Sequence, residues 1–379
     1  MDINSMNPVS GRLLDEHGGV VNIVSLLGGA MPVSDVVHDI NSYAPQTGRV
    51  IGEDGLLYNL VDLLGGIGGG QSPIASTNGI RIIAAGNNTL TVQRDGAAAV
   101  TIGAANLDTG SAFIVGRDYS IYMDTAGVYS VSLNAAKPLP LRRIGGFHYG
   151  VNRPCNAVLQ PINADGAALG ANWEANIYNG IVPRSIWTNT HRPKCNPAGM
   201  VYIGGGVWVD IYLCNDNDGA PNLESQHGQM PSAGMNWYTF TERLLLVGKR
   251  LPTYNEWIRA AVGSPQGLAG NNTNAWSAST DKQAAGFVER AVSSVGCRDC
   301  VGNVWEWLAD LIATGSGTEA WSNPMAGQGQ IWTFGNFRAL IAGGSYFNGA
   351  LCGARTVCTI YSPWETHASF GARGACGSL

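Results

Sequence analysis

Two groups of residues have types and spacings that could support chemistry. Cys297 and Cys300 form a C-x-x-C pair, but the second cysteine pair that a structural zinc site needs is missing. The pair is therefore expected to be core or a local disulfide, with a redox or metal-binding role as the alternative. Glu306 and Asp310 stand four residues apart, like a general acid and a general base. Our interpretation is that they instead satisfy backbone donors or an arginine.

A third candidate is a calcium loop. Residues 216–219, Asp-Asn-Asp-Gly, match the start of such a loop, yet the remaining ligands of an EF-hand are missing. The sequence also lacks H-E-x-x-H, the G-x-S-x-G nucleophile elbow, a P-loop and the Rossmann glycine fingerprint. We therefore expect a protein without a cofactor, with calcium binding left open.

The charge balance excludes two classes of partner. The chain has 379 residues, a formal net charge of −5 and 13% charged residues, so it lacks the basic field that nucleic acid or an anionic membrane requires. No secretory signal opens the sequence, and no apolar run reaches the roughly 18 residues of a membrane span. We expect no nucleic-acid binding, no membrane insertion and synthesis in the cytoplasm.

Two helices are predicted by capping boxes, in which a hydroxyl and a carboxylate satisfy each other's backbone donors. Thr253 and Glu256 have this spacing, and they predict a helix that ends near Gly263. Thr239 and Glu242 predict a second helix that stops at Gly248. The surrounding sequence is typical of strands and loops, because glycine, β-branched residues and turn residues dominate it.

The N-terminal part contains an internal repeat. Residues 10–29 align without gaps to residues 47–66, and ten of the twenty positions are identical. Each copy predicts a short strand, at residues 13–14 or 50–51, then a turn and an apolar segment closed by Gly-Gly. A unit this small cannot bury its own apolar side, so we interpret it as an assembly or attachment module. The alternative is a duplicated hairpin without a partner.

Composition and pattern divide the chain into three regions. No tryptophan occurs before Trp173 and no cysteine before Cys155. Residues 74–139 alternate between apolar and polar positions, with probable turn residues at 87–88 and 95–96, which predicts a small antiparallel β-sandwich. We expect domains at residues 1–72, 73–140 and 141–379, the middle one being a spacer or a support for a trimer.

Four motifs of the last region resemble a known family. GKRLPTYNEWIRAA at 248–261, VGNVWEWLAD at 301–310, AGGSY at 342–346 and FGARGAC at 370–376 are similar in order and spacing to the formylglycine-generating-enzyme family. The resemblance implies a C-type-lectin-like fold, so the fold class is α+β with small all-β modules before the lectin-like domain. Trp305 and Trp307 are expected in its core, because an indole buries a large apolar area.

The enzymes of that family use a close pair of copper-binding cysteines after the Gly-Gly-Ser motif. Here Cys352 could match the later cysteine, whereas the earlier one is missing and Cys358 lies on the wrong side of the Gly-Ala-Arg motif. Copper(I) prefers thiolate ligands, so the loss of one ligand should abolish the chemistry. We therefore expect a protein that is not an enzyme, with a copper oxidase as an alternative.

The last 34 residues of the motif region are similar to a second family, the variable proteins of diversity-generating retroelements, which includes phage tropism determinants. The matching fixed frame is Gly-Gly at 343–344, Gly-Ala-Arg at 353–355, Ser-Pro at 362–363 and Gly-Ala-Arg-Gly at 371–374. Between these positions the family rewrites side chains by adenine-directed mutagenesis. The resemblance implies a variable segment at about 343–376, whose ligand-binding positions are Ser345, Phe347, Asn348, Leu351, Cys358, Ile360, Tyr361, Glu365, His367 and Ser369.

The spacing of these ten positions fits a binding face. Residues 345/347, 358/360 and 365/367/369 alternate by two, which places each set on one face of an extended segment. Phe347, Ile360 and Tyr361 would be anchors if they are exposed.

The alternative is that the same apolar residues belong to the core. In that case Tyr346, Trp364 and Thr366, which have the opposite parity, would be the exposed residues.

The resemblance implies a receptor-binding, tropism-determining protein with a host-surface protein or glycan as its ligand. It further implies a homotrimer that contacts virion structural proteins, located at a phage tail fibre or receptor-binding tip after synthesis in the host cytoplasm. A calcium-dependent sugar-binding lectin is the remaining alternative.

Overall fold

β-Strands form most of the regular structure. A computed structural model describes residues 80–94, 96–156, 158–162, 177–216, 221–322 and 330–379, together with four short strands earlier in the chain. The chain divides into two compact units, Met1–Ile67 and Gly68–Leu379. Two α-helices occur among the described residues, and neither is long and apolar enough to cross a membrane. The architecture is therefore mostly β with few helices.

Each copy of the repeat contains a short antiparallel hairpin, which confirms the predicted strands. β1 (Arg12–Leu14) pairs with β2 (Val20–Asn22), and β3 (Arg49–Ile51) pairs with β4 (Leu57–Asn59). The two hairpins have the same register, because Arg12 faces Asn22 in the first and Arg49 faces Asn59 in the second. The Gly-Gly ends of the repeats lie outside the described residues, and the assembly role stays a prediction.

The second unit begins with two antiparallel sheets. One has the order β5-β6-β7, and the other has the order β11-β10-β8-β9 with β12 paired to β10. A single apolar cluster joins them, with Ile82 and Leu90 from one sheet and Tyr119 and Phe147 from the other. The bounds are β5 Ile80–Gly86, β6 Thr89–Arg94, β7 Val100–Gly103, β8 Arg117–Met123, β9 Tyr129–Ser132, β10 Arg142–Asn152, β11 Tyr178–Ile181 and β12 Trp187–Thr188.

The turns of this region agree with the sequence. Asn87 and Asn88 form the turn between β5 and β6, as predicted. Gly96 has a φ of +74°, the left-handed conformation that favours glycine, whereas residue 95 lies outside the described part. β10 pairs with β8 over residues 142–149, so the sheet runs across the boundary predicted between residues 140 and 141.

The C-terminal region combines three small sheets, two α-helices and long loops. β17 and β18 form a long antiparallel hairpin, β20 joins β17 in parallel, and β21 joins β14. The bounds are β13 Met200–Gly204, β14 Val207–Asp210, β15 Cys214–Asn215, β16 Glu224–Ser225, α1 Trp237–Leu245, α2 Tyr254–Ala261, β17 Trp305–Ser322, β18 Ile331–Ala342, β19 Val357–Cys358, β20 Phe370–Gly371 and β21 Ala375–Gly377. Short 3-10 helices span Ala104–Asn106, Pro183–Ser185 and Gly349–Leu351.

One helix prediction is confirmed and the other is wrong at its start. α2 follows Thr253, and the complete capping box with Glu256 is present. α1 begins two residues earlier than the predicted cap, because the Asn236 side chain accepts a hydrogen bond from the Thr239 backbone N–H at 2.9 Å. Thr239 therefore lies within the first turn of α1 rather than before it.

A buried ion pair connects the last motif to the centre of the domain. Arg373 and Glu306 are both fully buried, and Arg373 donates five hydrogen bonds: two to the Glu306 carboxylate and three to the carbonyls of Asp210, Ile211 and Arg298. Asp310 accepts from the Tyr254 N–H at 2.6 Å. The prediction that Glu306 and Asp310 satisfy an arginine and a backbone donor is confirmed.

The two tryptophans beside Glu306 differ in burial. Trp307 is fully buried, as predicted, and its indole N–H donates to the Met235 carbonyl at 3.2 Å. Trp305 is only partly buried, although it packs against the apolar cluster that contains Trp307. This cluster also contains Phe370, so the start of β17 and the end of the variable segment share one core.

We expect Arg373→Met to lower the free energy of unfolding by about 3–5 kcal/mol, because it leaves the Glu306 carboxylate buried without its partner. Denaturant unfolding of the full chain measures this loss. Arg338→Met is the control, since Arg338 and Glu365 are 3.6 Å apart and both partly exposed; it should cost about 1 kcal/mol or less. Similar losses of unfolding free energy in the two variants would contradict the larger stabilising role assigned to the buried pair.

Candidate ligand-binding surface

The variable segment starts at two glycines whose backbone no other residue would adopt easily. Gly343 and Gly344 have φ values of +92° and +87°. A Cβ at Gly344 would lie 2.4 Å from Cys352 Sγ, and a Cβ at Gly343 would lie 2.5 Å from the Cys300 carbonyl oxygen. Both the left-handed conformation and the close packing require glycine at these two frame positions.

Hydrogen bonds then fix the first loop of the segment. The Asn348 side chain accepts from the Ser345 N–H at 2.9 Å and from the Ser345 hydroxyl at 2.7 Å. The Cys352 thiol donates to the Ser345 carbonyl at 3.3 Å, and the Tyr346 N–H donates to the Asn303 carbonyl at 2.9 Å. The backbone of residues 345–352 is therefore held by its own turn and by the neighbouring GNVWEW motif.

A neighbouring loop that sequence reasoning missed supports the same backbone from the other side. The Gly349 N–H donates to the Ser277 carbonyl at 2.7 Å, and the Ser279 N–H donates to the Tyr346 carbonyl at 2.7 Å. Asn272 orders this loop by accepting from the N–H groups of residues 277 and 278. The available signal was the Gly-Asn-Asn-Thr-Asn run at 270–274, since asparagine is favoured in such turns.

The second half of the segment is anchored to β18 and α1. The Ala339 N–H donates to the Tyr361 carbonyl at 3.0 Å, and the Trp237 N–H donates to the Pro363 carbonyl at 2.9 Å. The Glu365 carboxylate accepts from the Ser362 N–H at 2.9 Å. Ser-Pro at 362–363 is buried. This frame element therefore lies beneath the surface, whereas its neighbours in the segment extend to the surface.

The ten predicted binding positions differ in exposure. Phe347, Leu351 and Ile360 are strongly exposed, at 51%, 75% and 63%, and His367 is also exposed. Ser345 and Ser369 are buried. The remaining four are partly buried, namely Asn348, Cys358, Tyr361 and Glu365.

The predicted alternation along extended strands is wrong for most of the segment. Between residues 345 and 369, which include all ten positions, Val357–Cys358 is the only strand and residues 349–351 form a 3-10 helix. Because the chain turns here, residue parity does not decide which side chains face outward. Ser345 and Ser369 consequently face inward, where their hydroxyl groups hydrogen-bond to Asn348 and His367. The opposite-parity alternative also fails at Tyr346, which is buried.

Two of the predicted positions pack on one buried ring, and a third packs on one of these two. Phe370 is buried, and its ring centroid lies 4.7 Å from that of Tyr361 and 5.3 Å from that of His367. The His367 and Phe347 rings are 6.3 Å apart. Side chains that are up to twenty residues apart in sequence therefore lie close together, next to the buried Phe370 ring.

The cysteines of the region have the properties of core residues. Burial raises the pKa of Cys352 to about 12, so the thiol is protonated at neutral pH and is a poor metal ligand or nucleophile. Cys297 and Cys300 are also buried, and burial raises the pKa of Cys300 well above its usual value. Within the described residues, no group of three or more His, Cys, Asp or Glu side chains could hold a metal ion.

The suggested calcium loop falls mainly outside the described residues, which end at residue 216 and resume at residue 221. Its first residue, Asp216, forms an ion pair with Arg243 at 3.4 Å.

We expect Gly344→Ala to lower the free energy of unfolding by about 2–5 kcal/mol, since a strained φ and a clash with Cys352 act together. Gly270→Ala is the matched control, because Gly270 has a φ of +69° and open space where a Cβ would lie; it should cost about 1–2 kcal/mol. Thermal unfolding of both variants compares them. Equal losses would show that the packing against Cys352 contributes nothing.

Comparisons with known proteins agree with this geometry. Residues 74–174 match the family model described as Mtd second domain, and like the second sheet this match extends past residue 140. The tail fiber receptor-binding protein of Bordetella phage BPP-1 is 27% identical over 294 residues, which cover 71% of this chain and 73% of the relative.

Solved structures of major tropism determinant variants have the same fold. The U1 variant is 22% identical with a TM-score of 0.64, covering 81% of this chain and 85% of its own. The I1 variant is 23% identical with a TM-score of 0.64, covering 82% and 86%. The resemblance inferred from the C-terminal frame is confirmed: the chain resembles the phage tropism determinants in sequence and shares their fold.

Proposed function

We propose that this chain is a receptor-binding, tropism-determining protein that contacts its ligand through the variable segment. The observation that carries the proposal is the exposure of Phe347, Leu351 and Ile360 on a backbone whose frame elements at 343–344, 362–363 and 371–374 are buried. Large apolar side chains that remain exposed on an ordered loop are typical of a binding surface. These three exposed side chains can change without loss of the fold, because none of them takes part in the hydrogen bonds that hold the loop.

The composition of this surface suits a protein or glycan ligand on the host surface. Phe347 and Tyr361 provide aromatic contacts that lose little conformational entropy on binding. His367, Glu365 and Asn348 add hydrogen-bonding groups at its edge. Aromatic anchors surrounded by polar groups are the usual composition of a binding site that is centred on a few residues.

The tail fibre name of the phage relative supports further parts of the proposal. The protein is located in the virion, at a tail fibre or receptor-binding tip, where it contacts virion structural proteins. It is synthesised in the host cytoplasm. It is a homotrimer, so several weak sites act together and the avidity exceeds the affinity of one site. The lectin-like domain is of the formylglycine-generating-enzyme type.

The proposal includes the absence of enzymatic activity. The position that best matches a copper ligand of the formylglycine-generating enzymes is Cys352, whose thiol is buried, protonated and bonded to the Ser345 carbonyl. This geometry favours a structural role for Cys352 over a catalytic one. Binding of the ligand is accordingly proposed to involve side-chain contacts alone, with no cofactor.

The experiment measures binding of the fluorescently labelled full chain to intact cells of a panel of bacterial strains. We expect the chain to label at least one strain, and Phe347→Ser or Ile360→Ser to reduce the cell-bound signal about tenfold or more, as loss of a central anchor does. The melting temperature should change by no more than about 2 °C, because exposed side chains contribute little to stability.

Val128→Ser is the matched control, since Val128 has the same 63% exposure as Ile360 but lies before β9 in the second domain. It should bind like the unmodified chain. The proposal fails if no strain is labelled, if the Phe347 and Ile360 variants bind normally, or if Val128→Ser loses binding to the same extent. Large destabilisation of the Phe347 and Ile360 variants with unchanged binding would instead assign these residues to the core.

A further inference from the structure

Two cysteines far apart in sequence face each other at the C-terminal strand. The Lys194 N–H donates to the Gly377 carbonyl at 2.9 Å, and the Leu379 N–H donates to the Arg192 carbonyl at 2.9 Å. These bonds flank an antiparallel bridge between Pro193 and Ser378. Cys195 follows Pro193 by two residues and Cys376 precedes Ser378 by two residues, so both cysteines lie just beyond this bridge.

This placement suits a disulfide. Pro193 and Ser378 form a non-hydrogen-bonded pair, because the bonds connect the residues on either side of them. In an antiparallel ladder of the same register, Cys195 and Cys376 would form the next non-hydrogen-bonded pair, whose Cα atoms are about 4.5 Å apart. That separation lies within the range of roughly 4.4–6.8 Å that disulfides span.

The side chains also meet. Cys376 is buried in a cluster with Trp208 and Met200, and Cys195 packs against the same cluster. Burial raises the pKa of Cys195, and the neighbouring Cys376 side chain raises it further. Both are free in the structure, and Cys195 remains partly exposed. A small oxidant can therefore reach one member of the pair while the other is held in place.

We propose that Cys195 and Cys376 are a redox-controlled modification site that closes to a disulfide when the protein meets a low-molecular-weight disulfide such as oxidised glutathione. The Cys195 thiolate attacks the small disulfide, forms a mixed disulfide and releases one reduced thiol. The Cys376 thiolate then attacks the Cys195 sulfur and releases the second reduced thiol. Two protein thiols are oxidised to one disulfide, and one small disulfide is reduced to two thiols.

The bond would fix the strand that ends the variable segment. β21 contains Cys376 and follows Arg373 by two residues, and it pairs with β14 through Trp208. A bond to Cys195 connects this strand to the loop that precedes β13. The bond would close the long loop between Cys195 and Cys376, which restricts the unfolded chain strongly. The oxidised protein therefore resists unfolding without any change in the binding surface.

The reaction is slow at neutral pH. Burial raises the pKa of Cys195 to about 12, so only a small fraction is present as the reactive thiolate. Oxidation therefore accelerates as pH rises, and the reduced form made in a reducing cytoplasm persists until the protein has been released.

The test is incubation of the full chain with oxidised glutathione at pH 7 and pH 9, followed by thiol counting and mass mapping of non-reduced peptides. The chain has eight cysteines, and we expect the number of free thiols to fall by two, with a peptide that links Cys195 to Cys376. The oxidised chain should melt on the order of 5 °C higher, a shift that a reductant reverses. The linkage should form faster at pH 9.

Two serine variants and one control separate this site from other thiols. Cys195→Ser and Cys376→Ser should each abolish the linked peptide and the melting shift, and Cys195→Ser is the safer variant because its side chain is partly exposed. Cys358→Ser, which is also partly exposed, should retain both effects. The proposal is overturned if eight thiols persist after oxidation, if Cys297 and Cys300 pair instead, or if the melting shift survives in Cys195→Ser.

Discussion

The buried pair of Arg373 and Glu306 is the constraint on which the C-terminal region depends. Two charges without solvent contact are stable only when every donor and acceptor finds a partner. Here the Arg373 guanidinium bonds to three carbonyls of two separate backbone segments as well as to the carboxylate. Those bonds fix the end of β14, the loop at Arg298 and the last motif relative to one another. A shift of any of these segments would leave a buried charge partly unpaired.

The pair also supports the proposal that one segment can be both ordered and replaceable. The variable segment is held at its start by Gly343 and Gly344 and at its end by Arg373, and the polypeptide between them hydrogen-bonds mainly through backbone groups. Side chains such as Phe347 and Ile360 contribute little to this support. Natural binding surfaces are often built in this way, with rigid elements that carry exchangeable side chains.

Features set by local interactions were predictable from the sequence, and those set by distant contacts were not. The capping box of α2 depends on residues three apart, and the frame motifs identified the fold. The start of α1 was predicted wrongly because Asn236, rather than Thr239, caps the helix. The burial of Ser345 and Ser369 could not be foreseen, since it follows from loops whose course depends on a segment about 70 residues earlier in the chain.

We infer that the frame specifies the fold, whereas the exposed positions between its elements do not. The most direct measurement is the protease resistance of every single substitution at residues 343–376 in the full chain. We expect most substitutions to be tolerated at Phe347, Leu351, Ile360 and His367, and nearly all to fail at Gly344 and at Arg373, the basic member of the buried pair. Equal tolerance at the two sets of positions, or failure at the exposed set, would contradict it.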